Sequence, residues 1–239
     1  MRALRAQVAA EVHMTLERGE TLLVTVGIPV FLLVFFTLVN VLPTGARRPV
    51  DFLAPGILGL AVMSTAMVSL GIATGFERSY GVLKRLGATP LGRPRLLAAK
   101  IAAVLVVETL QVCVLIAVAL GLGWRPHPAA GLAVIAALLA TVAFAGLGLL
   151  MAGALRAEIN LALSNAVYIV LLLIGGVIFP LSKLGGFASF ARLLPAAALS
   201  DALHPALGQG AGVPLGAWIV LLVWAVAAPV AAAVTFRWE

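Results

Sequence analysis

Residues 75–94 read GFERSYGVLKRLGATPLGRP, and this stretch lies between two long apolar runs. The run before it, Phe52–Gly75, has no charged residue, and the run after it, Ile101–Trp124, has only Glu108. The stretch itself concentrates five charged residues, Glu77, Arg78, Lys84, Arg85 and Arg93. Because each flanking run is long enough to cross a bilayer, the pattern predicts two membrane spans joined by a charged, water-facing segment.

The composition of the whole chain agrees with this interpretation. Of its 239 residues, 63% are hydrophobic and 10% are charged, whereas a soluble domain carries about 25% charged residues. The net charge of +7 is explained by the excess of Lys and Arg that membrane proteins carry in cytoplasmic loops. No basic run with interleaved aromatic residues is present, so nucleic acid is not an expected partner.

The hydropathy pattern predicts an all-α membrane protein with six spans. The first apolar run has 22 residues, too long for the core of a signal peptide, so we expect an uncleaved span. The six predicted spans are Thr21–Leu42, Phe52–Gly75, Ile101–Trp124, Ala129–Leu155, Ile159–Phe179 and Gly212–Phe236. We expect a single transmembrane domain over residues 1–239.

Two regions outside the spans are also apolar on one side. In residues 1–20, Leu4, Val8, Val12 and Leu16 recur every four residues, which predicts an amphipathic helix. Such a helix lies along the membrane surface or packs on a partner, and we favour the first. Residues 180–211 are interrupted by prolines yet rich in Phe and Leu, which indicates short re-entrant helices at the membrane boundary.

The distribution of basic residues predicts the orientation. With six spans, both termini share one side with the segment after span two and the turn after span four. That side holds eleven Lys and Arg residues, and the other side holds five. We therefore expect both termini and residues 76–95 to be cytoplasmic, in the plasma membrane.

The charged segment is predicted to form a short amphipathic helix. Phe76, Tyr80, Leu83 and Leu86 have helical spacing and would share one face. Gly87 is placed to end the helix, and Thr89-Pro90 is typical of a new helix start. Such a helix would present Tyr80, Leu83 and charges to a soluble partner. From the residues alone, a basic loop that obeys the positive-inside rule remains an equal alternative.

The stretch FERSYGVLKRLGATPLGRPRLLAAK resembles the coupling region of ABC-2-type transporter permeases. Residues of the family pattern occur in order: Glu77, Gly81, Leu83, Leu86, Thr89, Pro90, Arg93 and Lys100. Residues 157–203 are similar to the family's re-entrant region, with matches at Gly176, Phe179, Pro180, Pro195, Asp201 and Leu203. The family often has Trp after the aromatic-Pro turn, and this chain has only Phe there.

The resemblance implies a permease subunit of an ATP-driven exporter for a hydrophobic or amphipathic substrate. It implies two separate ATPase subunits that carry ATP and Mg²⁺, and a second permease chain, identical or homologous. The implied coupling residues are Glu77, Arg78, Tyr80, Gly81, Leu83, Lys84, Leu86, Thr89 and Pro90. The sequence contains no G-x-x-x-x-G-K-[ST] phosphate loop, so we expect no cofactor and no catalytic residue on this chain.

Glu108 is the ionisable residue within the predicted spans, about two turns inside span three, and Gln111 shares its face. Three interpretations remain open: contact with a cationic substrate, proton carriage, or a helix–helix hydrogen bond with Glu108 neutral or paired to Lys100 or Arg156. Proton carriage gives an alternative function, a proton-linked carrier. An intramembrane enzyme that uses Glu108 and His204, and a membrane anchor without transport, are further alternatives.

The remaining polar residues have structural interpretations. Asn160, Ser164 and Asn165 are expected to join helices, although Asn160 and Asn165 are also pathway candidates. Asp201 and His204 favour a local hydrogen bond over a metal site, which needs three or four ligands. Gly146, Gly148 and Gly153 predict close helix approach, and Cys113 is predicted to be a small packing residue.

Overall fold

The computed structural model describes residues 2–17, 19–39, 48–87, 93–126, 130–176, 181–207 and 213–236. Within these ranges all regular structure is helical, which confirms the predicted all-α class. The helices are α1 (Arg2–Glu17), α2 (Gly19–Val39), α3 (Pro49–Ser79), α4 (Val82–Gly87), α5 (Arg93–Gly121), α6 (Ala130–Ala154), α7 (Ala157–Ile174), α8 (Ala188–Ala191), α9 (Pro195–Leu207) and α10 (Leu215–Thr235). A 3₁₀ segment, Leu181–Phe187, precedes α8.

Five helices are long and apolar enough to cross a membrane: α3, most of α5, most of α6, α7 and α10. They correspond to five of the six predicted spans. The predicted first span corresponds to α2, whose apolar part in the described residues, Leu23–Val39, is shorter. Thus five spans are supported by length and composition, and the sixth stays a prediction.

The span boundaries differ from the predicted ones around the charged segment. Helix α3 continues through Gly75 to Ser79, and α5 begins at Arg93 rather than at Ile101. Glycine inside a helix costs only about 1 kcal/mol, and proline is tolerated in the first helical turn, so neither Gly75 nor Pro94 interrupts its helix. Of the residues 76–95 that the structure describes, 76–79 and 93–95 are therefore extensions of membrane helices, whereas 80–87 form a turn and the short helix α4.

Helix α6 lies at the centre of the bundle because small residues let other helices approach it closely. A Cβ atom added to Gly146 would lie 2.5 Å from the Pro229 nitrogen, and one added to Gly148 would lie 2.5 Å from the Met67 carbonyl oxygen. A Cβ atom added to Gly153 would lie 2.7 Å from Cδ2 of the Phe236 ring. These contacts confirm the predicted close packing of the three glycines.

Helix α3 contains a π-helical turn, Ser64–Ser69, in the middle of its length. Met67, whose carbonyl group meets Gly148, belongs to this turn. No pattern in the sequence predicts this turn. A π turn carries one extra residue, and such turns occur mostly as single insertions inside α-helices.

Side-chain contacts join the helices at both ends of the bundle. At one end, Glu11 of α1 bonds to Lys100 of α5, and Arg78 of α3 bonds to the carbonyl group of Leu155, just after α6. At the other end, Arg48 donates to the Gly123 carbonyl oxygen at 2.7 Å. Helix α1 packs on α5 of its own chain, while His13 and Met14 are exposed.

We expect Gly148→Ala to lower the free energy of unfolding by about 1–3 kcal/mol, because the new methyl group overpacks a rigid backbone contact. Gly27→Ala is the matched control, since Gly27 also lies inside a helix and its Cβ would meet only Leu23 at 3.9 Å. The thermal unfolding midpoint in detergent micelles measures the stability change of each variant. Equal midpoints for the two variants would contradict the close packing of α6 on α3.

Candidate functional site

The C-terminal end of α3 turns sharply into α4. Tyr80 follows the last helical residue, and Gly81 adopts a left-handed conformation with φ of 71°, which glycine tolerates at little cost. Helix α4 then covers Val82–Gly87, and Gly87 is its last residue, as predicted. The predicted continuous face of Phe76, Tyr80, Leu83 and Leu86 is wrong, because the turn at Gly81 divides these residues between two helices.

We call residues 80–87, the turn and α4, the elbow. Its exposed surface differs from the predicted one. Leu83 is completely buried, whereas 73% of the Tyr80 side-chain surface is exposed. Lys84 and Arg85 are exposed, and Leu86 is half-buried. Leu83 therefore anchors α4 to the bundle, and Tyr80, Lys84 and Arg85 form the surface that a soluble protein would meet. Thr89 and Pro90 lie outside the described residues.

Behind the elbow, a buried cation joins three helices. The Lys100 side chain is 1% exposed, and its Nζ atom lies 2.7 Å from Glu77 Oε2 and 3.0 Å from Glu11 Oε1. Glu11 comes from α1, Glu77 from α3 and Lys100 from α5. A buried charge is tolerated when it is paired and hydrogen-bonded, and Lys100 has two acidic partners.

Arg78 ties the same end of α3 to α6. Its guanidinium group donates to the carbonyl oxygens of Ala152 at 2.9 Å and Leu155 at 3.2 Å. The last carbonyl groups of a helix have no partner inside the helix, and a basic side chain satisfies them while opposing the helix dipole. Glu77 and Arg78, predicted as coupling residues, thus both bond within the chain.

A hollow of about 440 Å³ opens beside the elbow. Charged side chains line it from both sides, Arg78 and Lys84 from the elbow and Arg156 and Glu158 from the turn between α6 and α7. Together with the exposed side chains of Tyr80 and Arg85, this hollow forms a polar surface at this end of the bundle. We call this surface the elbow face.

Asn160 joins α7 to α3 through a close backbone contact. Its side chain is fully buried, and its Nδ2 atom donates to the Gly71 carbonyl oxygen at 2.8 Å. Ser164 donates to Asn160 Oδ1 at 3.2 Å, which agrees with the predicted shared face. Only glycine fits at position 75, since a Cβ there would lie 2.7 Å from Asn160 Nδ2. Asn165 is exposed and bonds to its own helix at the Leu161 carbonyl oxygen.

Gln111 of α5 links two other helices, α3 and α2, in the middle of the bundle. Thr65 of the π turn donates to Gln111 Oε1 at 2.9 Å, and Gln111 Nε2 donates to the Thr25 carbonyl oxygen of α2 at 2.7 Å. Both ends of the amide are therefore satisfied inside the protein. Asn160 and Gln111, two of the predicted pathway candidates, both act as links between helices in this conformation.

Glu108 is buried, with 4% of its surface exposed. It lies 13 residues from either end of the apolar span Arg95–Gly121, so it is at mid-span and deeper than predicted. Its Oε2 atom is 2.5 Å from Thr141 Oγ1 of α6. This contact is a helix–helix hydrogen bond, as one of the three interpretations has it. Lys100, one of the partners considered, is held instead by Glu11 and Glu77. Cys113, one turn further along α5, is exposed, so the packing prediction for it is wrong.

The described part of residues 180–211 forms a 3₁₀ segment and two helices, while their re-entry into the membrane stays a prediction. Gly176 ends the fifth span with φ of 72°, and Ser200 of α9 donates to its carbonyl oxygen at 2.8 Å. His204 Nδ1 lies 2.9 Å from the Ser200 carbonyl oxygen, so His204 is bonded to Ser200 rather than to Asp201. Phe179 and Pro180 lie outside the described residues. No group of metal ligands occurs in the part of the chain that the structure describes.

Sequence reasoning missed three features of these sites. Lys100 is predicted as part of the family pattern and as a candidate partner of Glu108, although a Lys within an apolar helix together with Glu11 and Glu77 elsewhere is a signal for a buried ion cluster. Thr141, which bonds to Glu108, and Trp124, which lines the same pocket as Glu108, are not among the predicted residues. A threonine or tryptophan in an apolar helix carries no sequence signal that distinguishes a site from ordinary packing.

The sequence matches the family model of the ABC-2 type transporter over residues 3–206. The chain therefore belongs to the ABC-2 type transporter family and is a permease, the membrane component of a transporter. The match covers the described elbow, the ion cluster and the re-entrant helices. A comparison with curated proteins found none that matches this sequence.

We expect Lys100→Met to lower the free energy of unfolding by about 3 kcal/mol or more, because it leaves two largely buried carboxylates facing each other without a cation. Arg85→Met is the control, since it removes a positive charge from an exposed position. Unfolding midpoints in detergent measure the stability change of each of these two variants. Adding Glu11→Gln and Glu77→Gln to Lys100→Met should recover much of the loss, and no recovery would contradict the ion cluster.

Proposed function

We propose that this chain is the permease subunit of an ATP-driven exporter. Two separate ATPase subunits bind the elbow faces of two permease chains, identical or homologous. The pair moves a hydrophobic or amphipathic substrate out across the plasma membrane. Each permease has six spans, with both termini in the cytoplasm. Membership of the ABC-2 type transporter family supports the transport role.

The observation that carries this proposal is the way the elbow face is connected to the bundle. Its outer side presents Tyr80 and Arg85, while its inner side is anchored by the buried Leu83. A force applied to α4 reaches α3 through the tight turn at Gly81. A flexible loop would absorb such a force, but this elbow has a fixed, buried attachment.

From the end of α3 the displacement passes to the neighbouring helices through short polar contacts. Glu77 engages Lys100 of α5 and, through it, Glu11 of α1. Arg78 engages the carbonyl groups of Ala152 and Leu155 at the end of α6. One docked motor would therefore move four helices together, which is what a rigid-body gating motion needs.

ATP and Mg²⁺ belong to the partner in this proposal. The sequence has no phosphate-binding loop of the G-x-x-x-x-G-K-[ST] type, and the permease family supplies the membrane component. The positive elbow face, with Lys84, Arg85 and Arg156, suits an ATPase subunit whose docking groove is acidic.

The elbow face gives a direct test of docking. We expect Tyr80→Asp combined with Arg85→Glu to lower the yield of co-purified ATPase on the order of tenfold or more, because both changes oppose the apolar and electrostatic complementarity of the surface. Arg125→Glu is the control, since it reverses an exposed charge at the opposite end of α5. Affinity purification from native membranes with mass spectrometry identifies the subunits.

The same variants separate assembly from coupling. Permease-dependent ATP hydrolysis and export should fall with the elbow variant and persist with Arg125→Glu. Purification that yields no nucleotide-hydrolysing subunit with the unaltered chain would overturn the proposed function. Leu83→Asp is unsuitable for this purpose, because it places a charge at a completely buried position and would disrupt the fold itself.

A further inference from the structure

A pocket of about 280 Å³ lies between α5 and α6, on the half of the bundle away from the elbow face. Glu108 and Thr141 line one end of it, and Trp124 lines the other. The walls between them are apolar and come from four helices, through residues such as Leu58, Val112, Ile116, Ala137 and Leu203. The pocket is distinct from the elbow face.

The polar end of the pocket is short of hydrogen-bond donors. Glu108 Oε1 is buried and has no partner among the described residues. Thr141 Oγ1 lies 2.5 Å from Glu108 Oε2 and 2.9 Å from the Ala137 carbonyl oxygen. A hydroxyl group carries one proton, so these two acceptors compete for a single donor.

An unpartnered carboxyl oxygen at mid-span is costly in free energy, because lipid offers no water to satisfy it. Lys100, two turns away on the same helix, is held by Glu11 and Glu77. A ligand with a cationic N–H group would supply both the missing donor and the complementary charge. An anionic ligand would face the carboxyl group and be repelled by it.

The shape of the pocket restricts the rest of the ligand. From Glu108 to Ile116 the pocket follows α5 for about 12 Å at 1.5 Å per residue, and apolar side chains surround this length. The mouth lies between exposed residues of α5 and α6, among them Thr109, Cys113 and Val134. An apolar tail of about eight carbons fits this length and can enter sideways from the membrane.

We propose that this pocket binds apolar amines, with the ammonium group on Glu108 and the tail directed toward Trp124. Amphipathic cations are then the substrate class of the exporter, an assignment that rests on the proposed function, whereas binding itself does not. Glu108 acts as the residue that selects for charge, and the apolar walls select for tail length.

Cys113 supplies a probe for this binding, because it is the single cysteine of the chain and lines the pocket. The full chain is placed in nanodiscs of zwitterionic lipid at pH 7, and the rate of its labelling by N-ethylmaleimide is measured. N,N-dimethyloctylamine should slow labelling in a saturable manner. The neutral analogue N,N-dimethyloctanamide should need about a tenfold higher concentration, since it lacks the charged donor.

Substitutions at two pocket residues, with one control outside the pocket, show where the amine binds. Glu108→Gln should raise the half-protecting concentration of the amine about tenfold, to that of the amide, while Glu158→Gln, the same change at an exposed cytoplasmic position, should not. Ala137→Leu fills the pocket without altering Glu108 and should abolish protection by both compounds. Unfolding midpoints show whether each variant is folded, so a loss of protection is counted only for a folded protein.

Three results would overturn this inference: equal protection by amine and amide, amine protection that survives Glu108→Gln, or no protection at all because lipid or a second copy of the chain covers the mouth. None of these results depends on an ATPase. Failure of amine binding would leave docking at the elbow face intact, and failure of docking would leave amine binding intact.

Discussion

The buried ammonium group of Lys100 is the constraint on which the arrangement of the elbow end of the bundle depends. An uncompensated charge there would cost several kcal/mol, so the chain must bring two carboxylates to it from distant parts of the sequence. Glu11 can reach Lys100 only if α1 packs against α5, and Glu77 can reach it only if α3 remains helical beyond Gly75. The position of α1 and the length of α3 are thus set by one side chain.

Some polar side chains within the bundle use all their hydrogen-bonding atoms inside the chain, and others have an atom left without a partner. Asn160 and Gln111 use both ends of their amides within the chain, so they hold helices in register and have little capacity left for a ligand. Glu108 has an oxygen without a partner beside an open apolar pocket. In a membrane interior an unsatisfied polar group is costly, so the Glu108 carboxyl group, unlike these two amides, retains capacity for a ligand.

Much of this architecture could be predicted from the sequence because hydropathy and glycine spacing report burial directly. The apolar runs located five spans, and Gly146, Gly148 and Gly153 were predicted to be contact points before their partners were known. The elbow was predicted less well, because helical spacing at Phe76, Tyr80 and Leu83 does not reveal that Gly81 breaks the helix between them. The partners of Lys100 and Glu108 could not be predicted, since they depend on which helices meet in space. Periodicity along one helix carries no information about that choice.

The π turn in α3 has a consequence for the direction in which the elbow points. An α-helix advances about 100° per residue, so one additional residue in Ser64–Ser69 rotates everything after it by about that angle relative to an uninterrupted helix. With a regular helix, Glu77 would face roughly a quarter of a turn away from Lys100, and Arg78 would miss the end of α6. The insertion therefore sets how far the C-terminal half of α3, which carries the elbow, is rotated relative to its N-terminal half. The N-terminal half packs on α9.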